Sequence, residues 1–269
     1  MALLDSIRHA ETIEAHRPWP RAIVDAEGWQ NAIDHLTAGR CTLLGLWGDA
    51  GAVHMALIAE KSDVVVLTYA CRDGRYPSVG AKHPPAIRLE RAIQTLFGFE
   101  GIDAPDTRPW LDLGFWDVVH PLGKRTMAQA PAPYAFLPAE GEALHQIAVG
   151  PVHAGIIEPG HFRFTANGEH VVRLEQRLGY VHKGVESLMT GAQFDRAAKL
   201  AGRISGDSTV AYAFAFAQAA EAALETGPPP RAVHLRALMA ELERLANHFG
   251  DIGAICNDAS FPLMLAQCG

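Results

Sequence analysis

The spacing of apolar residues changes along this chain, and each change predicts a different kind of element. In the first hundred residues, Cys41–Trp47 and Val64–Ala70 are apolar runs of strand length set among glycines. Around them the spacing widens to three and four, which predicts helices over Glu27–Leu36 and Pro84–Phe97. The second opens on proline, where no amide is needed, and stops at Gly98. This alternation predicts a small α+β domain over residues 1–120.

From Pro121 onward the periodicity is lost. Ala130-Pro-Ala-Pro-Tyr134 and Pro138-Ala-Glu-Gly141 interrupt every pattern, so residues 121–146 read as a Pro/Gly-rich linker before a second domain, 147–269. That domain begins with two short strands, Gly160–Thr165 and Glu169–Leu174, joined across Ala166-Asn167-Gly168, an Asn-Gly hairpin signal. Helices follow. Thr209–Leu224 alternates alanine with Tyr212, Phe214 and Phe216, but its length and alanine content predict a helix rather than a strand. Pro228-Pro-Pro230 then starts a last helix, Arg231–Phe249, with a stripe of Leu235, Leu238, Met239, Leu242, Leu245 and Phe249. The fold class is therefore α+β, a small mixed domain followed by a mainly helical one carrying a β-hairpin.

Composition narrows the function classes. The chain has 269 residues, 49% hydrophobic and 20% charged, the profile of a globular protein of two domains. Its longest apolar stretch, Val210–Ala217, falls far short of the roughly 20 residues that cross a bilayer, so membrane contact is expected only through partners. A net charge of −7 offers no basic footprint for nucleic acid. The amino terminus turns charged before a secretory apolar core could form, and the four cysteines lie far apart without CxxC spacing. A reducing cytosolic setting and no metal held by this chain are the expectations.

Several clusters could carry chemistry. Gly150–Phe164 packs His153, Glu158, His161 and Arg163 among glycines and prolines, either aiming the histidines at a ligand or letting them satisfy backbone carbonyls. His182 and Glu186 would share one helix face at i, i+4, as half of a metal site, a proton relay or a plain surface pair. Arg203-Ile-Ser-Gly-Asp-Ser208 looks like a polar cap, with Asp207 or Ser208 capping the helix that follows. Glu90 and Arg91, with Asp106 and Arg108, form a helix end and an Asp/Arg/Pro turn under Trp110, a structural role because no nucleophile stands beside a base. Glu241, Arg244 and His248 lie on one flank of the last helix and can pair. No GxGxxG, P-loop or HExxH motif is present, so nicotinamide binding and metallohydrolase chemistry are not expected.

Taken together these segments resemble a known family. Residues 88–111, with Glu-Arg, a Leu-Phe-Gly turn and Asp-Thr-Arg-Pro-Trp-Leu, resemble the 30 kDa subunit of complex I. Gly150–Phe164, Leu178–Glu186, Arg203–Ser208 and Arg236–His248 resemble the 49 kDa subunit of complex I and the large subunits of membrane-bound nickel-iron hydrogenases of the formate hydrogenlyase type, where the two parts are fused. The resemblance implies a subunit of an NADH-quinone oxidoreductase-like or hydrogenase-like complex on the cytoplasmic face of the membrane. It would dock on a small iron-sulfur subunit and, through partners, on a membrane arm. It also implies a quinone- or substrate-facing cavity near the partner's cluster, with His153, Glu158, His161 and His182 relaying protons. Asp258, after the last helix, would stand near the family's acidic position.

In the hydrogenases the matching segment reads Arg-Ile-Cys-Gly-x-Cys and gives two thiolates to nickel. Here Arg203 is followed by Ser205 and Ser208, and a hard hydroxyl does not replace a soft thiolate. Cys256 and Cys268 lack the spacing of the family's second cysteine pair, and Gly269 precedes the region where that pair falls, so a truncated large subunit without a nickel-iron centre is expected. A scaffold that keeps the fold without catalysis is the alternative.

Overall fold

The computed structural model describes residues 10–59, 63–112, 114–127, 134–153 and 157–269. They fall into two compact units that divide between His182 and Lys183. The first carries a five-stranded sheet of β1 (Glu11–Ile13), β2 (Arg21–Val24), β3 (Cys41–Gly48), β4 (Ala52–Ala59) and β5 (Val64–Ala70), in the order β1-β2-β5-β4-β3. Only β2 and β5 run parallel; the other pairs are antiparallel.

Helix α1 (Ala26–Thr37) starts where Asp25 accepts the Gly28 amide, which satisfies one of the helix's open donors. Its apolar face, Trp29, Ile33 and Leu36, is buried in one core with Val53, Met55 and Leu57 of β4 and Val65 and Leu67 of β5. Each such side chain contributes about 1.5–3 kcal/mol on leaving water. Trp29 also donates its indole N–H to the Pro77 carbonyl at 2.9 Å, so its one polar atom is satisfied.

Strand β6 (Arg75–Pro77) pairs with β7 (Glu100–Ile102) on either side of a 3-10 turn (Pro84–Ala86) and α2 (Ile87–Phe97). Gly98, at φ 80°, ends α2 in the left-handed conformation that its missing Cβ allows. The segment 121–146, read as a linker, lies inside the first unit and holds β9 (Thr126–Met127), which pairs with β8 (Val118–Val119). Residues 128–133, with Ala130–Pro133 of the Pro-rich signal, lie outside the described residues.

A second sheet, in the order β10-β11-β12, is built from β10 (Leu144–Val149), β11 (His161–Asn167) and β12 (His170–Arg177). The hairpin forms with Asn167 opposite His170, which moves the turn onto Gly168 and Glu169, and a bulge falls at Thr165/Ala166. β10 was not expected as a strand. It is an edge strand exposed along nearly its whole length, so its sequence carries little burial pattern.

The second unit is helical: α3 (Val185–Met189), α4 (Phe194–Ala201), a 3-10 turn (Gly206–Ser208), α5 (Thr209–Ala223), α6 (Pro230–Asp258) and α7 (Pro262–Cys268). α6 continues well beyond the predicted stop at Phe249. Gly250 and Gly253 reduce helix propensity, but a Cβ on Gly253 would meet Cys268 Cβ at 3.1 Å, so close packing of α7 takes its place. Asp258 is thus the last residue of the helix rather than beyond it. Sheets and helices together make a mixed α/β protein. No helix among the described residues is long and apolar enough to cross a membrane.

Candidate functional site

The loop between β10 and β11 is pinched at its base by three bonds. The Gly160 amide donates to Pro151 O at 3.1 Å, His153 Nε2 donates to Gly160 O at 2.7 Å, and His161 Nδ1 donates to Gly150 O at 3.3 Å. A carbonyl can only accept, so each of these ring nitrogens carries the proton. That leaves Nδ1 of His153 and Nε2 of His161 unprotonated in the neutral rings, and Nε2 of His161 is buried without a hydrogen-bond partner among the described residues. The His153 ring lies edge-on to Phe162 and His161 leans on Phe136. Gly150 is obligatory here. At φ 78° a Cβ would sit 2.2 Å from Gly160 O and 2.5 Å from His153 Nε2. Glu158 is exposed on the same loop, and residues 154–156 lie outside the described residues.

His182 stacks on Trp116, ring centroids 5.1 Å apart. Helix α3 begins only at Val185, so His182 and Glu186 do not form the helical i, i+4 pair that their spacing suggests; Gly179-to-His182 is a turn closed by a 3.2 Å backbone bond.

Ser205 and Ser208 sit on the 3-10 turn that leads into α5. Neither Ser208 nor Asp207 caps α5 with its side chain, contrary to expectation; the Ser208 backbone, at φ −134° and ψ 31°, is not in the extended conformation of a capping residue, and its hydroxyl makes no cap bond. Instead Glu243 reaches over from α6, its carboxylate accepting the amides of Val210 and, at 3.0 Å, Ala211. A negative group on the first turn satisfies open donors and suits the helix dipole. One turn further along α6, Asn247 donates to Asp207 O at 2.6 Å, and Lys183 donates to Ile204 O at 3.1 Å. The residues that fix the serine turn are therefore Glu243 and Asn247, which sequence reading passed over. Of the flank singled out from sequence, Glu241 and Arg244 form an exposed 3.0 Å ion pair and His248 is exposed; Arg203 and Asp258, from other segments, are exposed too.

The most heavily bonded side chains lie in the first unit. Glu90 is buried on α2 and accepts from Ser78 Oγ at 2.8 Å and from the amides of Val79 and Gly80 at 2.7 and 3.2 Å. Burial outweighs these donors and raises its carboxyl above the usual range. Arg91 spends its guanidinium on Arg108 O, Pro109 O, Asp106 and the Tyr134 hydroxyl, and lies 4.7 Å over Trp110. Asp106 also receives Arg108 at 2.7 and 2.9 Å. Burial would raise its carboxyl, but the Arg108 bonds and the two arginine charges hold it below its usual value. Arg108 then extends to Glu175 on β12 at 2.8 Å, which joins the α2 region to the second sheet. Glu175 gave no sequence signal, because its partners come from distant loops.

Among the described residues no group of three or more His, Cys, Asp or Glu is placed to hold a metal ion. The four cysteines are free; burial pushes Cys71 up to about 11, away from the thiolate form. The hydroxyls of Ser205 and Ser208 are the wrong donors for a nickel-iron centre. Cavities of about 240, 370 and 310 Å³ in the first unit are lined by none of His153, His161 or His182.

No family model matches the chain. Its homologues are nonetheless clear, and they are subunits of hydrogenases and of NADH-quinone oxidoreductases. Hydrogenase-4 component G of Escherichia coli (strain K12) is 34% identical over 224 residues, 78% of this chain and 40% of that protein. Formate hydrogenlyase subunit 5 of the same organism is 33% identical over 225 residues, with the same coverages. An NADH-quinone oxidoreductase subunit of Clostridium beijerinckii is 30% identical over 109 residues, 40% of this chain and 30% of that protein. The chain thus spans 40% of the length of the first two relatives.

Proposed function

We propose that this chain is a subunit of a membrane-associated oxidoreductase of the complex I-like or hydrogenase-like type. It docks on a small iron-sulfur subunit, reaches the membrane arm through partners on the cytoplasmic side, and lines a quinone- or substrate-facing cavity without a nickel-iron centre of its own. The observation that carries this reading is the combination of 34% identity to hydrogenase-4 component G with serines at 205 and 208. In such a cavity electrons arrive from the partner's cluster. The nitrogens left over by the loop carbonyls, Nδ1 of His153 and Nε2 of His161, are the groups available to hold a proton, with Glu158 and His182 as further relay candidates. Arg203, Ser205 and Ser208, the segment that matches the nickel-ligand positions, and Asp258, at the end of α6, are the candidate polar and acidic residues of the second unit. The domain identities follow the same relationship: 1–120 as the part like the 30 kDa subunit of complex I, and 147–269 as the beginning of the part like the 49 kDa subunit.

A second reading, a scaffold with a disused cavity, is favoured by one observation: both loop histidines are already bonded to carbonyls of their own loop. Affinity purification of the tagged full chain from its host tests both. An iron-sulfur subunit should co-purify, and metal analysis should find no stoichiometric nickel. Stoichiometric nickel or hydrogen turnover would sink the proposal, and a recovered partner without quinone-dependent electron flow would select the scaffold.

A further inference from the structure

One face of the three-stranded sheet holds more positive charge than the described residues neutralise. The register sets Thr165 opposite Arg173, Arg163 opposite Glu175 and His161 opposite Arg177, and these six side chains share a face. Glu175 is the one carboxylate among them. Its Oε1 is taken by Arg108 and by the Leu137 amide, and its Oε2 lies 3.6 Å from Arg173. Arg163 and Arg177 are left with no hydrogen-bond or ion-pair partner for their guanidinium groups among the described residues, and the Nε of each is buried and unpaired. Each has its guanidinium carbon over a ring instead, Arg163 at 3.9 Å from the Phe136 centroid and Arg177 at 4.5 Å from that of Tyr134.

Stacking holds a guanidinium in a fixed plane but leaves its fork of N–H donors unused. A fixed, unsatisfied fork matches a carboxylate, which accepts two parallel N–H bonds. The chain as a whole is acidic, so this excess is local rather than a share of a generally basic surface. The opposite face of the same sheet is apolar and exposed at Ile147, Val149, Val172 and Leu174. Val172 and Leu174 lie on β12, the edge strand that also carries Arg177, so a polypeptide laid along this edge reaches both faces, which a small free anion does not.

We infer that Arg163 and Arg177 form a docking point for a carboxylate side chain of a partner polypeptide. This rests on the proposed function, in which the chain is one subunit of an assembly. The test places an amine where each guanidinium stands, as Arg163→Lys and, separately, Arg177→Lys in the full chain, both of which keep the positive charge. The complex purified with each variant is treated with a water-soluble carbodiimide, which condenses an amine with a carboxylate only when they touch. Peptide mass spectrometry should find a link from position 163 or 177 to an Asp or Glu of another subunit, absent from the wild-type complex. An intact complex in which neither position links, or links only to Glu175 of its own chain, overturns the docking point and leaves the proposed function standing. If no complex is recovered even with the wild-type chain, the proposed function itself fails, and the docking point with it.

Discussion

Arg108 and Glu175 lie 67 residues apart in the chain and 2.8 Å apart in space. Through them the Asp106 turn, itself held by the buried Arg91, is tied to the central charged position of β12. Removing Glu175 would leave Arg163, Arg173 and Arg177 on that face with no carboxylate among its described β11 and β12 residues, and Arg108 with Asp106 alone. Glu175→Ala is therefore expected to cost about 3 kcal/mol, the range for breaking a buried ion pair from one side. Denaturant unfolding monitored by tryptophan fluorescence checks this. A cost below about 1 kcal/mol would mean that the tie is dispensable.

Two carboxylates of the first unit should give pH dependences of opposite sign. Asp106 is held below its ordinary value, so its contribution is present above about pH 4 and is lost as pH falls through its lowered value. Asp106→Asn should then be less stable than wild type by roughly 2 kcal/mol at pH 7, with the gap closing as pH falls through the lowered value. Glu90 is raised by burial, so the native state holds its proton more tightly than the unfolded chain. Its contribution is full below about pH 4 and declines as pH rises through the raised value. The stability gap between wild type and Glu90→Gln should accordingly narrow from pH 4 to pH 7. A gap that widens over that interval would contradict the sign.

The helices and strands that sequence reading located are those whose ends carry their own chemistry. Pro84 and Gly98 bracket α2, and Val64–Ala70 opens on three successive valines in a strand buried through most of its length. Strand β4 escaped because Val53, His54 and Met55 are all buried, so no alternation marks it, and His54 needs Asp49 and Thr68 to be satisfied there. At the candidate site, His153 and His161 were legible because their partners lie within the same short loop. Glu175, Glu243 and Asn247 were not. Their partners are 67, 33 and 40 residues distant, and nothing in the local sequence states that such a meeting occurs.

Glu243 supplies a sharp local test. If its carboxylate holds the first turn of α5, Glu243→Ala should cost about 1 kcal/mol, as the loss of a capping residue does. Hydrogen exchange at Val210 and Ala211 should speed up, while exchange in the middle of α5 changes little. Glu241→Ala, two positions away on the exposed flank, should leave both amides as in the wild type. Equal protection in the Glu243 variant would show that the turn and its two serines are held by other means.

The apolar stripe of α6 separates stability of the chain from assembly. Leu238 and Leu242 are each 55% exposed in this chain, and Gly253 is the only buried residue among the described residues of α6. By contrast Ile33 is fully buried against the five-stranded sheet. Ile33→Ala should therefore cost about 2–5 kcal/mol by cavity formation, and Leu242→Ala less than about 1 kcal/mol in the isolated chain. A stripe of this extent without cover is the surface expected of an element that is buried in an assembly. Within the purified complex, Leu242→Ala should then lower the yield of co-purifying subunits although the isolated variant unfolds at nearly the wild-type denaturant midpoint. If Leu242→Ala instead destabilises the isolated chain as strongly as Ile33→Ala, the stripe is already packed within this chain and is not a surface for partners.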